Sequence, residues 1–329
     1  MPPFFVTIFL TTEPFKRIRV QESFDSPFVS GFSAGFSPCR SMIFTHLLTR
    51  QAHVPGSRAK ESRLTEGSIP AKYFQVGTAT VEVHPNSQAA GRAAAQAAST
   101  ELIKLAKAHR SVGVIFATGA SQFEILNELT RLADMPWEQI RGFHMDEYVN
   151  LAADHPASFR RYLRERLTGK VRMKEFFEID GSAPDPKQTS QDYATKLRLA
   201  DPQVCFLGIG ENGHLAFNDP AEADFTDPLD AKVVLLDAQC RQQQMAEGWF
   251  TSVEQVPDHA ITLTIPALLR VPKLIVSVPG IRKAKIVRRA FKEGISTECP
   301  ATILRTHPDA TIYLDLDSAS ELDDKLLTR

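Results

Sequence analysis

Four short stretches of the chain place side chains that can move protons or hold an anion. Phe143–Val149 reads FHMDEYV and sets Asp146 beside Glu147. Gly208–Pro220 reads GIGENGHLAFNDP, in which His214 is followed five positions later by Asp219. Ala117–Ser121 reads ATGAS, and Pro279-Gly280 leads into Arg282 and Lys283. A carboxylate and an imidazole are the usual general acid and base at neutral pH. Hydroxyl groups and free backbone N–H groups at a helix start suit an anion. Cations in the first turn of a helix are unfavourable for its dipole, so Arg282 and Lys283 hint at an anionic ligand there.

Each stretch also has a plainer reading. Asp146 and Glu147 can be an acidic turn at a strand end, and because successive side chains of an extended segment face opposite ways, only one of them points at a given ligand. Ser121 with Glu124 fits a capping box that merely closes a helix. Lys283 shares its helix with Lys285, Arg288 and Arg289, the pattern of a solvated basic face. Gly208–Gly213 satisfies G-x-G-x-x-G, but Asn218-Asp219-Pro220 opposes the helix that a dinucleotide fingerprint needs, so NAD binding is rejected. What remains is a glycine-rich turn that brings backbone close to a ligand and delivers His214 and Asp219 to one region. His144, Asp146 and His155 show no recognised metal-ligand spacing, and no metal is expected.

The elements around these stretches alternate between strand and helix, the pattern of a mostly parallel sheet with helices on both faces, a Rossmann-like α/β fold in a single domain. Strands are expected at 111–117, 142–145, 203–207, 232–236, 261–265, 273–278 and 311–314. Helices are expected at 87–108, 121–132, 156–167, 186–199, 238–248 and 281–293. In such sheets ligands sit at the carboxyl ends of the strands, which is where all four stretches fall.

The whole chain has 329 residues, 38 Lys+Arg against 39 Asp+Glu, and a formal charge of −1. No global field recruits nucleic acid or an anionic membrane, so the expected partner is a small molecule. Cys39, Cys205, Cys240 and Cys299 are scattered without a CxxC pair, which fits a reducing cytoplasm. The apolar run Phe4–Leu10 is far shorter than the ~20 residues that span a bilayer. Residues 1–65 hold 9 of the 21 phenylalanines without helical or alternating period, and 8 basic against 4 acidic residues. They are read as a poorly ordered extension or as a misplaced start, with Met42 or a site nearer Tyr73 as alternatives, and residues 66–329 as the functional domain.

From about Tyr73 to Leu314 the chain resembles the glucosamine-6-phosphate deaminase (isomerase) family. The resemblance rests on FHMDEYV, on DHPASF at Asp154–Phe159, and on the GIGENGHLAFNDP run in the same order. The wider superfamily includes 6-phosphogluconolactonases, but the Ala-Phe-Asn-acid-Pro continuation and the Met-Asp-Glu-Tyr segment resemble the deaminase side. The resemblance implies a cofactor-free conversion of glucosamine 6-phosphate and water to fructose 6-phosphate and ammonia. It implies Asp146 as the base at C2, His214 as the ring-opening residue and Asp219 as its carboxylate. It implies Thr118, Gly119, Ala120, Ser121 and Lys283 as the phosphate site, with Arg241 as a secondary candidate. Two positions depart from the family: Asn212 replaces the Asp usual before Gly-His, and Asp219 replaces Glu, one methylene longer. The amide of Asn212 is expected to orient the imidazole without stabilising its charge. A related amino- or keto-sugar phosphate, lactone hydrolysis and a non-catalytic sugar-phosphate sensor stand as alternatives, and a homo-oligomer is compatible with the family.

Overall fold

The computed structural model describes residues 70–323. The expected extension over residues 1–65 lies outside the described residues.

Two strands open the fold, the edge strand β1 (Lys72–Val76) and its neighbour β2 (Ala79–His84), paired antiparallel. An alanine-rich helix follows, α1 (Ser87–Ala108), where Asn86 accepts a hydrogen bond from the Ala89 N–H at 2.9 Å and so caps an orphan donor. Its buried alanines let it lie close on the sheet. Next come β3 (Val112–Phe116), α2 (Phe123–Leu129), β4 (Ile140–His144), β5 (Asp146–Tyr148), α3 (Phe159–Leu163), β6 (Glu175–Phe177) and α4 (Pro186–Ala200). The second half supplies β7 (Val204–Leu207), β8 (Ala231–Leu235), α5 (Ala238–Ala246), β9 (His259–Leu263), α6 (Ile265–Leu269), β10 (Lys273–Val278), α7 (Ala284–Lys292) and β11 (Ala310–Asp315).

Eight strands form one sheet in the order β1-β2-β11-β10-β7-β3-β4-β6, parallel everywhere except at β1. Helices cover both of its faces, so the central strands are apolar along their whole length: VGVIF of β3 and VCFL of β7 are buried at every position. From β3 the chain turns outward to β4 and β6, then returns through α4 to β7 on the other side of β3. A reversal of this kind leaves a crevice at the carboxyl ends of the strands, between loops that depart in opposite directions.

The expected strands at 232–236 and 261–265 form, but outside the parallel sheet. As β8 and β9 they join β5 in a separate three-stranded antiparallel sheet of order β5-β9-β8. A second apolar cluster anchors it, with the Tyr148 ring in tilted contact with Phe159 and Phe217 and edge-on to Phe250. Three further differences concern helix starts. The expected capping box at Ser121 and Glu124 is absent: the chain leaves β3 through Gly119 and a 3-10 turn, Ala120–Gln122, which places Ser121 inside the turn, where it cannot cap. The helix expected at 281 likewise opens with a 3-10 turn, Ile281–Lys283. The helix expected at 156 begins at Phe159 and ends in a π turn over Arg164–Thr168.

Candidate active site

A cavity of about 460 Å³ opens at the carboxyl ends of the parallel strands. Its walls are the turn after β3, the start of β5, the glycine-rich turn after β7, the turn after β10 and one face of α5. These are the loops flanking the reversal of strand order, which explains why stretches remote in sequence meet here.

Strand β5 separates its two acids. Asp146 lines the cavity, 5% exposed, and its Oδ1 has no hydrogen-bond partner among the described residues. Burial, and secondarily the adjacent Glu147 charge, push its carboxyl well above the usual range. Glu147 points the opposite way and is fully enclosed. It accepts from Ser158 Oγ at 2.7 Å and from the Tyr148, Phe159 and Arg160 N–H groups, and it pairs with Arg160 Nε at 3.2 Å. Arg160 continues to the Leu151 carbonyl and to Asp180. One acid thus clamps β5 to the start of α3 while the other faces the cavity. His144, the last residue of β4, is fully buried: its Nε2 accepts from the Ile179 N–H at 2.7 Å, and burial lowers its pKa to about 3, so it stays neutral.

The turn after β7 carries the imidazole. His214 Nδ1 lies 2.8 Å from Asp219 Oδ1, which assigns the ring proton to Nδ1 and leaves Nε2 as an acceptor in the neutral tautomer. Asp219 is fully enclosed. Burial alone would raise its carboxyl, but hydrogen bonds and charge from His214, the Asn212 amide and the Asp237 N–H together hold it below the usual range. The shorter side chain therefore still reaches the ring, because the Leu215–Asn218 bridge folds the segment back on itself. Gly210 makes this packing possible, since a Cβ there would fall 2.2 Å from His214 Nε2.

Asn212 does not orient the imidazole as expected. Its Oδ1 accepts from the His214 backbone N–H at 3.0 Å, while its Nδ2 donates to Asp219 Oδ1 at 2.9 Å and to Asp237 Oδ2 at 3.3 Å. Carboxylates cannot donate to one another, and an amide donor between Asp219 and Asp237 satisfies both.

Two turns of the same shape face the opposite end of the cavity. Gly119 (φ 87°) precedes Ala120–Gln122, and Gly280 (φ 93°) precedes Ile281–Lys283. Positive φ is available to glycine at little cost, and here it turns the chain sharply off the ends of β3 and β10. Thr118, Gly119, Ala120, Ser121 and Lys283 all line the cavity, so these two stretches come together. Tyr162 holds the first turn by donating to the Gly119 carbonyl at 2.8 Å, and Asp315 holds the second by accepting the Gly280 N–H at 3.0 Å. Burial lowers the Lys283 pKa, partly opposed by Glu247 and Glu211, a bias that a bound anion would reverse.

Arg241 does not join them. It lies off the cavity wall and donates to the Val253 and Val256 carbonyls at 2.8 and 3.0 Å. Helical geometry accounts for this: Cys240, Gln243, Gln244 and Glu247 recur at the i, i+3, i+4, i+7 spacing of one α5 face, and position 241 falls about 100° away. That spacing was the available signal for three cavity residues that sequence reasoning missed, Gln243, Gln244 and Glu247. Gln243 accepts from the Glu211 N–H at 2.9 Å and Gln244 accepts from the Tyr148 hydroxyl at 2.8 Å, which ties α5 to the β7 turn and to β5. Beneath them the donor atoms of His214, Asp219 and Cys240 lie within 4.8 Å of one another, a set that sequence spacing did not reveal.

Residues 85–313 match the family model described as glucosamine-6-phosphate isomerases/6-phosphogluconolactonase. The chain belongs to this family. Among its relatives is a glucosamine-6-phosphate deaminase of Exiguobacterium sibiricum, 34% identical over 209 residues, 64% of this chain and 81% of that protein. Another, from Listeria innocua, is 34% identical over 206 residues, 63% of this chain and 86% of the relative. A monomeric glucosamine-6-phosphate deaminase of known structure superposes with a TM-score of 0.68 at 28% identity, covering 73% of this chain and 99% of that one. The family fold extends to a 6-phosphogluconolactonase of Trypanosoma brucei, with TM-score 0.61 at 18% identity over 76% of this chain and all of the other. No helix among the described residues is long and apolar enough to cross a membrane.

Proposed function

We propose that this family member deaminates glucosamine 6-phosphate hydrolytically, with aldose–ketose isomerisation, to fructose 6-phosphate and ammonia. The observation that carries the reading is the pairing, in one cavity, of an unpartnered buried carboxylate, Asp146, with a His214–Asp219 dyad. The relatives named glucosamine-6-phosphate deaminase favour the same reaction. The work falls to the chain's own residues.

The 6-phosphate sits between the Gly119 and Gly280 turns, where Thr118 and Ser121 offer hydroxyls and Lys283 a cation. This fixes the sugar with its C1–C2 end toward β5 and the β7 turn. His214 Nε2 takes the C1 hydroxyl proton and returns a proton to the ring oxygen, opening the pyranose. The Asp219 carboxylate stabilises the imidazolium formed between these two steps. Asp146 then removes the C2 proton of the amino aldehyde and delivers it to C1. The C2 amine becomes an imine, and water replaces it, releasing ammonia. A raised carboxyl pKa strengthens Asp146 as a base while keeping its conjugate acid able to protonate C1. We read the enzyme as acting without a cofactor, on a small sugar phosphate, in the cytoplasm.

The test is stoichiometric: the purified full chain should release one ammonia for each fructose 6-phosphate formed from glucosamine 6-phosphate. A folded protein that binds the sugar phosphate but yields neither product would overturn the reading and direct attention to 6-phosphogluconolactone or to sensing.

A further inference from the structure

Cys240 has no part in the chemistry above, yet it stands at the dyad. It occupies the first turn of α5, is 1% exposed, and its thiol is free. Its Sγ, the imidazole of His214 and a carboxylate oxygen of Asp219 are mutually within 4.8 Å; all three side chains are buried, and His214 lines the cavity. With every pair of donor atoms within 4.8 Å, some point lies within about 2.8 Å of all three, so shifts of about 0.5–0.8 Å give the Zn–S distance of about 2.3 Å and the Zn–N and Zn–O distances of about 2.0–2.2 Å.

We infer that His214, Asp219 and Cys240 form an inhibitory site for a thiophilic divalent cation, Zn2+, entered through the substrate cavity. The donor chemistry selects the ion. Thiolate, imidazole and carboxylate together form a mixed N, O, S set suited to zinc, whereas the hard cations Mg2+ and Ca2+ take oxygen donors. Binding releases one proton, from the Cys240 thiol; the His214 ring proton moves from Nδ1 to Nε2, so that the neutral imidazole offers Nδ1 to the ion, and the Asp219 carboxyl is already held below the usual range. Water or a substrate oxygen fills the fourth position, as in open zinc sites.

The cation would take His214 Nδ1 away from Asp219 and lock the ring. Ring opening then stops although the phosphate turns are untouched. Cys240 ligates as its thiolate, as any cysteine ligand to zinc does. The dyad and its base would thus stay metal-free and active at low zinc and be silenced when free zinc rises.

The inhibition arm rests on the proposed deamination, and the binding arm does not. Metal-stripped full chain titrated with Co2+ should develop a thiolate-to-cobalt absorption band in the near ultraviolet, saturating at one ion per chain and bleached by Zn2+. Zn2+ should inhibit deamination, reversibly with chelator. In Cys240→Ser the band should vanish and the zinc concentration for half inhibition should rise at least about tenfold, with turnover in metal-free buffer retained. Cys240→Ala serves the same purpose should the serine variant misfold. Absence of the band in the unmodified chain, or a band and zinc sensitivity that survive in both variants, would overturn the site. Failure of deamination itself would leave the band as the readout, so the two proposals fail separately.

Discussion

Asn212 shows how one changed side chain can be compensated at its own scale. It touches two carboxylates and a backbone N–H but not the imidazole ring. An aspartate there would put a third carboxylate against Asp219 and Asp237 and remove the donor both of them use. Losing a buried hydrogen-bond donor to charged partners costs about 1–3 kcal/mol. Asn212→Asp should therefore lower kcat by about 10- to 100-fold with little change in KM. Asp237→Asn in the same chain should restore part of it, because an asparagine at 237 supplies the missing donor and still caps α5. Steady-state kinetics of the two single variants and the double variant decide this. An Asn212→Asp enzyme at full kcat, or a double variant no better than the single, would contradict the assignment. The candidate residue was visible in sequence as a departure from the family pattern. Its partner Asp237 was not, because 25 residues separate them and only the fold brings them together.

At the scale of elements, β5 carries the site. Three residues long, it turns Asp146 into the cavity and Glu147 into the body of the protein. The alternation of an extended segment foretold that division, while the antiparallel partner β9 that enforces it is distant in sequence. The enclosed Glu147–Arg160 pair fastens β5 to α3. Removing one partner of a buried pair leaves the other charge uncompensated, at about 3–5 kcal/mol. Arg160→Ala should destabilise the protein by about that amount in denaturant unfolding, and a loss below about 1 kcal/mol would show that the clamp is dispensable. The capping box at Ser121 failed for a local reason: a glycine with positive φ two residues earlier redirects the chain before the serine can cap. Arg241 lies off the cavity wall because its position on the helical wheel of α5 differs from that of Gln243, Gln244 and Glu247.

For the whole molecule, the parallel sheet was legible because its central strands are apolar along their full length and are separated by helices of ordinary period. Less legible were β8 and β9, whose runs resemble those of the main sheet and whose pairing depends on β5. The strand order, with its reversal between β3 and β7, determines where the cavity lies, and no local pattern encodes it. That reversal gathers the Gly119 and Gly280 turns, the His214–Asp219 dyad and Asp146 around one volume, and in the proposed reaction Asp146 moves the C2 proton of a sugar held there. Deuterium placed at C2 of glucosamine 6-phosphate reports this proton transfer most directly. The label should leave C2 with each turnover of the unmodified enzyme, faster as pH rises and Asp146 loses its proton. Asp146→Asn should bind the sugar phosphate and keep the label in place. Label loss from C2 at an undiminished rate in Asp146→Asn would contradict the account.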